Sequence, residues 1–117
     1  MNRVKNSPVT RQRRKDIVKE AKGGFGHQSK PFKTAKEHVM RARAYAYRDR
    51  KQKKRDFRRL WITRLNNACR SYDLTYSRFI RLLTLAQIKL NRKQLSEMAI
   101  HQPQHFQALI SKVQNPW

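Results

Sequence analysis

The sequence predicts an all-α protein: a long basic N-terminal helical extension followed by a small globular helical C-terminal domain. No Gly or Pro occurs between Pro31 and Pro103, which permits a very long helix. Residues 1–60 hold 21 Lys or Arg and 5 Asp or Glu, whereas residues 61–117 hold 8 and 2. Hydrophobic residues show the opposite distribution, with 18 in the first 60 positions and 26 in the last 57. We therefore expect only residues 61–117 to close a core, with residues 1–60 as a basic extension.

The first helix of the extension is predicted from its two ends. Ser7 before Pro8 is typical of an N-cap followed by the first helical residue. Lys22 before Gly23 is typical of a helix end. The first helix is therefore predicted at about residues 8–22.

A glycine loop and a very long helix follow. Residues 23–31 contain all three glycines of the chain, which let it turn and approach a phosphate backbone closely. Pro31 can begin the second helix. Helix-forming residues then continue from about residue 32 to 71, roughly 60 Å at 1.5 Å per residue.

The charge pattern of the long helix separates several interpretations. Ten of the nineteen residues from Arg41 to Arg59 are basic, and at 100° per residue they cover about two thirds of the circumference. A membrane-surface helix needs an apolar face, and a coiled coil needs apolar heptads, but no hydrophobic residue lies between Tyr47 and Phe57. Two interpretations stay open: a helix neutralised by phosphates on several sides, and a solvated run of charges.

Past Leu60 the apolar spacing becomes that of packed helices. Thr75 can cap one helix, Asn91 with Gln94 resembles a capping box for another, and Pro103 can begin the last. The residues predicted to be buried are Trp61, Leu65, Ala68, Tyr72, Tyr76, Phe79, Ile80, Leu83, Leu95, Met98, Ala99, Phe106, Leu109, Ile110 and Val113.

The composition favours a polyanionic partner and gives no sign of catalysis. With 29 basic and 7 acidic residues the formal net charge is +22, which favours nucleic acid or an anionic surface. The single Cys69 cannot form an internal disulfide. His101 and His105 lack a nearby third metal ligand, and the Gly-Gly-Phe-Gly motif lacks the phosphate-binding loop pattern. We predict no enzyme activity, metal, cofactor, small-molecule substrate or membrane partner.

The sequence of residues 45–69 is Tyr-Ala-Tyr-Arg-Asp-Arg-Lys-Gln-Lys-Lys-Arg-Asp-Phe-Arg-Arg-Leu-Trp-Ile-Thr-Arg-Leu-Asn-Asn-Ala-Cys. This segment resembles the hallmark block of the bacterial-type large-subunit ribosomal protein twenty family. Further similarity lies at Arg3-Val4-Lys5 and in residues 21–26, 76–80 and 90–95. The resemblance implies a protein that binds large-subunit ribosomal RNA directly, early in subunit assembly, beside neighbouring large-subunit ribosomal proteins. Residues 54–64 resemble plastid members, so a plastid ribosome is favoured, with the bacterial cytoplasm as the alternative.

The candidate RNA-binding residues are the basic side chains of the extension and its continuation, the three glycines and one tyrosine. The same residues would also suit the alternative function, that of a basic DNA-compacting or transcription-associated nucleic-acid-binding protein. The set is Arg3, Lys5, Arg11, Arg13, Arg14, Lys15, Lys22, Gly23, Gly24, Gly26, Lys30, Lys33, Arg41, Arg43, Tyr47, Arg48, Arg50, Lys51, Lys53, Lys54, Arg55, Arg58, Arg59 and Arg64.

Overall fold

The computed structural model describes residues 5–115, and between these two residues it contains helices and no strands, which confirms the all-α class. One short 3-10 helix, Gly26–Ser29, lies between the first two α-helices. The α-helices are α1 (Ser7–Glu20), α2 (Phe32–Arg70), α3 (Tyr76–Leu85), α4 (Arg92–His101) and α5 (Pro103–Gln114).

The chain forms two compact units, the first ending at Lys51 and the second beginning at Gln52. Helix α2 contributes residues to both units. The division after residue 60 that the charge distribution suggests stays a prediction.

Helix α1 begins one residue before the predicted start. Ser7 is not the N-cap as predicted, because it is already helical and Asn6 takes that position. The Thr10 N–H donates to the Asn6 carbonyl at 2.9 Å, which closes the first turn. The helix ends at Glu20, and the turn that follows reaches Gly23 at a φ of +95°, a conformation suited to glycine.

Helix α2 confirms the predicted range to within one residue at its C-terminal end. The Pro31 carbonyl accepts the first helical hydrogen bond, from the Ala35 N–H at 2.9 Å. The helix ends without glycine: Asp73 takes a φ of +57°, and the Leu74 N–H donates to the Cys69 carbonyl at 3.1 Å. This is the hydrogen-bond pattern of a Schellman motif.

The second unit has the capped helices that the sequence predicts. The Thr75 hydroxyl accepts from the Arg78 N–H, at 3.4 Å. Asn91 and Gln94 form both bonds of a capping box, at 2.8 and 3.1 Å. These bonds satisfy backbone donors that helix starts leave free. Pro103 begins α5 as expected.

The second unit has one hydrophobic core, built around Phe79 and Phe106, whose ring centroids lie 5.7 Å apart. Five further residues that were predicted to be buried are buried in the structure: Leu65, Leu83, Leu95, Ile110 and Val113. Cys69, Leu74 and Ser96 are also buried, although they are not among the residues that the sequence predicts to be buried.

The first unit holds a small apolar cluster of its own, which contradicts the expectation that only the second half would close a core. Ala21, Ala35 and Val39 are buried, and Ile17 and Val18 pack against them. Ala21, directly after α1, and Ala35 of α2 are only 2% and 0% exposed, so small side chains suffice to exclude water from this cluster.

Candidate nucleic-acid interface

The basic residues of α1 lie on its exposed surface. Arg11, Arg14 and Lys15 line one groove along the helix because residues three and four apart share a face. The Arg14 guanidinium lies 5.4 Å from the centre of the Phe32 ring at the start of α2, close enough for a cation–π contact.

The glycine loop is held by side-chain hydrogen bonds. The Ser29 hydroxyl donates to the Gly24 carbonyl at 3.2 Å, and the Thr34 hydroxyl donates to the His27 carbonyl at 2.8 Å. A Cβ on Gly24 would lie 3.1 Å from the Gln28 Cβ and 3.3 Å from the Ala21 carbonyl oxygen. A side chain at Gly24 would therefore be tightly crowded by the loop, which is a steric reason for glycine separate from the approach of a phosphate backbone.

Arg43 is held by an acidic residue of α1. Its Nε donates to Glu20 Oε1 at 2.9 Å, and its Nη2 donates to Glu20 Oε2. The hydrogen bond from Arg43 lowers the pKa of Glu20 from its ordinary value, and the same bond raises the pKa of Arg43. Arg43 therefore carries a charge that is already partly neutralised within the protein.

Two tyrosines of α2 lie beside cations in the first unit. The Arg48 guanidinium is 4.7 Å from the centre of the Tyr45 ring, and the Lys51 ammonium is 4.4 Å from the centre of the Tyr47 ring. Both rings are more than half exposed. Asp49 accepts a hydrogen bond from Arg48 at 3.0 Å, so part of the charge of Arg48 is balanced within the helix.

A groove of about 600 Å³ in the second unit combines aromatic and basic side chains. Phe57 and Trp61 lie with ring centroids 6.0 Å apart, and the Lys53 ammonium is 6.0 Å from the Phe57 ring centre. The groove is lined by Lys53, Lys54, Phe57, Leu60, Trp61, Arg64, Lys93 and Glu97. Sequence reasoning missed Lys93, since only the fold brings α4 beside the end of α2.

Nearly all the candidate RNA-binding residues are solvent-exposed; Gly24 and Arg64 are half-buried. Arg3 lies outside the described residues. Every residue from Arg41 to Lys51, and every residue from Lys53 to Leu60, is exposed. Exposure makes these side chains accessible to phosphates, while their binding to RNA stays a prediction.

The part of the chain between Lys5 and Asn115 brings no three His, Cys, Asp or Glu side chains together as a metal site would require. His101 instead lies 3.1 Å from Glu97, between Nε2 and Oε2. None of the helices in this part is long and apolar enough to cross a membrane.

Comparison with known proteins assigns the family. The model of the family described as ribosomal protein L20 matches residues 3–109. The chain belongs to the ribosomal protein L20 family. This confirms the resemblance seen in residues 45–69 and the prediction of a non-enzymatic protein.

Relatives of this L20 family member match over nearly their whole length. The large ribosomal subunit protein bL20 of Mycoplasma mobile is 54% identical over 113 residues, which cover 97% of each chain. The bL20 of Mycoplasmopsis synoviae is 54% identical over 114 residues, covering 97% of this chain and 98% of the relative. That of Oceanobacillus iheyensis is 54% identical over 112 residues, covering 96% and 95%.

Proposed function

We propose that the protein is a structural constituent of the large ribosomal subunit that binds large-subunit ribosomal RNA directly and supports early subunit assembly. Family membership supports the ribosomal role. The observation that carries RNA binding is the run of α2 from Arg41 to Arg59, whose basic side chains are exposed on several sides of the helix.

A rod with this charge distribution suits a crowded RNA environment. RNA segments brought together during assembly repel each other through their phosphates, and cations placed between them reduce that repulsion. Arg bridges two phosphate oxygens through its planar guanidinium, whereas Lys acts as a compact point charge. The helix provides both types along its length, so it can hold separate RNA segments at a fixed distance.

Aromatic residues among the charges add a second kind of contact. Tyr45 and Tyr47 are exposed beside Arg48 and Lys51. Single-stranded bases stack on aromatic rings and on guanidinium planes. These tyrosines therefore suit unpaired bases next to neutralised phosphates.

Binding of the full-length protein to transcribed large-subunit RNA, measured across a salt series, tests RNA binding. Each neutralised phosphate releases counterions, so about six contacts or more would weaken binding roughly a thousandfold between 50 and 200 mM salt. A flat salt response would refute direct phosphate binding. Competition with duplex DNA tests the alternative class: a DNA-compacting protein would bind both polyanions equally.

The assembly role needs a separate experiment. We expect the protein to enter early precursors of the large subunit, beside neighbouring large-subunit ribosomal proteins, and depletion to cause incomplete particles to accumulate. Normal particle profiles after depletion would refute the assembly role without affecting the binding proposal. The plastid location stays a prediction, since the relatives described above are bacterial and support the bacterial alternative.

A further inference from the structure

Phe25 lies at the surface of the glycine loop and is 94% exposed. This is the largest exposed fraction of any large hydrophobic side chain between Lys5 and Asn115. The next is Leu85, at 70%. Phe25 is therefore accessible to a partner molecule.

The loop backbone explains why the ring stays outside. Phe25 is extended, with φ −72° and ψ 140°, between turns in which Gly23 and Gly26 have φ of +95° and +65°. The Gly24 carbonyl accepts from the Ser29 hydroxyl at 3.2 Å. The backbone is thus defined on both sides of Phe25, and the residue belongs to neither hydrophobic cluster.

The charges around the loop favour a nucleic-acid partner. Lys22 and Lys30 are exposed on the two sides of Phe25 along the chain, and His27 is exposed beside them. An apolar protein surface would have to desolvate these lysines, whereas a nucleotide offers a base for the ring and phosphates for the ammonium groups.

We propose that Phe25 stacks on an unpaired base of the large-subunit RNA, an inference that rests on the proposed function. A base stack covers an aromatic ring that otherwise stays in water, and it tolerates any base because every base has a π-face. Phe25 thereby becomes an anchor that does not depend on charge, placed between two phosphate-binding lysines.

Phe25→Ala and Phe25→Trp in the full-length protein test the stack. We expect Phe25→Ala to weaken binding to transcribed large-subunit RNA by about 5- to 100-fold, because base stacking contributes that much per base. The slope of affinity against salt should stay unchanged, since no charge is lost. Phe25→Trp should retain wild-type affinity. Leu85→Ala, which truncates the other highly exposed hydrophobic side chain, is the matched control and should bind as wild type does.

Short-wave ultraviolet cross-linking gives a direct readout. We expect mass spectrometry of the wild-type complex to find a nucleotide attached to Phe25. Steep salt dependence in the wild type with equal binding by Phe25→Ala would overturn the stack and leave the proposed function intact. Unchanged binding to free RNA, combined with poor incorporation of Phe25→Ala into subunits, would also overturn it, since that result indicates a protein partner. A flat wild-type response would remove the proposed function itself.

Discussion

Glu20 and Arg43 lie 23 positions apart in the sequence, yet the Glu20 carboxylate accepts two hydrogen bonds from the Arg43 guanidinium. The pair connects the end of α1 to the first third of α2, next to the cluster of Ala21, Ala35 and Val39. It also means that Arg43, one of the candidate RNA-binding residues, is already paired with a carboxylate of the protein. Glu20 therefore both helps to position α1 and competes with phosphate for Arg43.

We predict that Glu20→Gln makes RNA binding more dependent on salt. Losing the carboxylate frees Arg43 for a phosphate, so the slope of log affinity against log salt should steepen by about one. Glu37→Gln, which neutralises another exposed carboxylate of the first unit, is the control for net charge and should leave the slope unchanged. Equal slopes for all three proteins would contradict the competition.

The pair should also make the attachment of α1 dependent on pH. Arg43 lowers the pKa of Glu20 from its ordinary value of 4.5. The stabilising effect is therefore present above pH 4.5 and is lost as the pH falls through the lower pKa of the folded state. Amide protection factors in α1, corrected for the intrinsic pH dependence of exchange, should fall over that acidic range in the wild type, and Glu20→Gln should show no such fall.

Replacing Gln87 with glycine should stabilise the folded protein. Gln87 has a φ of +58° after α3, where the Ile88 N–H donates to the Leu83 carbonyl at 3.0 Å. A side chain in this left-handed conformation is strained by roughly 1–2 kcal/mol, so Gln87→Gly should raise the free energy of unfolding by up to about 1 kcal/mol. Ala86→Gly is the control: Ala86 has an ordinary φ of −75°, and glycine there should destabilise by about 0.5–1 kcal/mol. Urea unfolding measures both, and equal effects would refute the strain.

Local sequence signals predicted much of this fold. The absence of Gly and Pro predicted α2, and the caps at Thr75 and Asn91 depend on residues only three positions apart. The turns that follow α2 and α3 were not predicted, because Asp73 and Gln87, residues other than glycine, take positive φ there.

The candidate site divides in the same way. Its positive charge could be predicted from composition. In residues 1–60 the basic residues outnumber the hydrophobic ones, so most of the basic side chains must be exposed. The pairing of Arg43 with Glu20 and the position of Lys93 beside Trp61 depend on contacts between distant segments. Phe25 was missed because its neighbours in the sequence do not show whether a lone aromatic residue packs inward or stays exposed.

Cys69 should remain unreactive while the second unit is folded. It is fully buried, and burial raises the pKa of its thiol from 9.0 to about 11. At pH 8 we expect iodoacetamide to label the native protein far more slowly than the protein unfolded in guanidinium, because the thiolate is the nucleophile. Equal labelling rates would show that the site opens readily.

The same thiol gives a stability change at high pH. The folded pKa lies above the unfolded one, so its contribution to stability is complete below pH 9 and is lost as the pH rises towards 11. Other groups titrate in this range, so the wild type should be compared with Cys69→Ala. We expect the wild type to lose about 2 kcal/mol more than the variant between pH 9 and 11.

Lys54 places RNA binding and helix stability in opposition. Lys54 and Arg58 are four residues apart on α2 and both are exposed, so they repel each other in the free protein. Lys54→Glu replaces that repulsion with an attractive pair, with the acid in the favourable N-terminal position. We expect slower amide exchange at residues 54–59 in the free protein, corresponding to a local change of about 0.4–1 kcal/mol. RNA binding should weaken and its salt slope should fall by about one.

Lys112→Glu on α5 makes the same charge change where no charged residue lies three or four positions away, and it should leave exchange at residues 54–59 unaltered. Unchanged exchange in Lys54→Glu would show that like charges do not limit the stability of this helix, whereas slower exchange with weaker binding would show that these cations favour phosphate contact at the expense of the free helix.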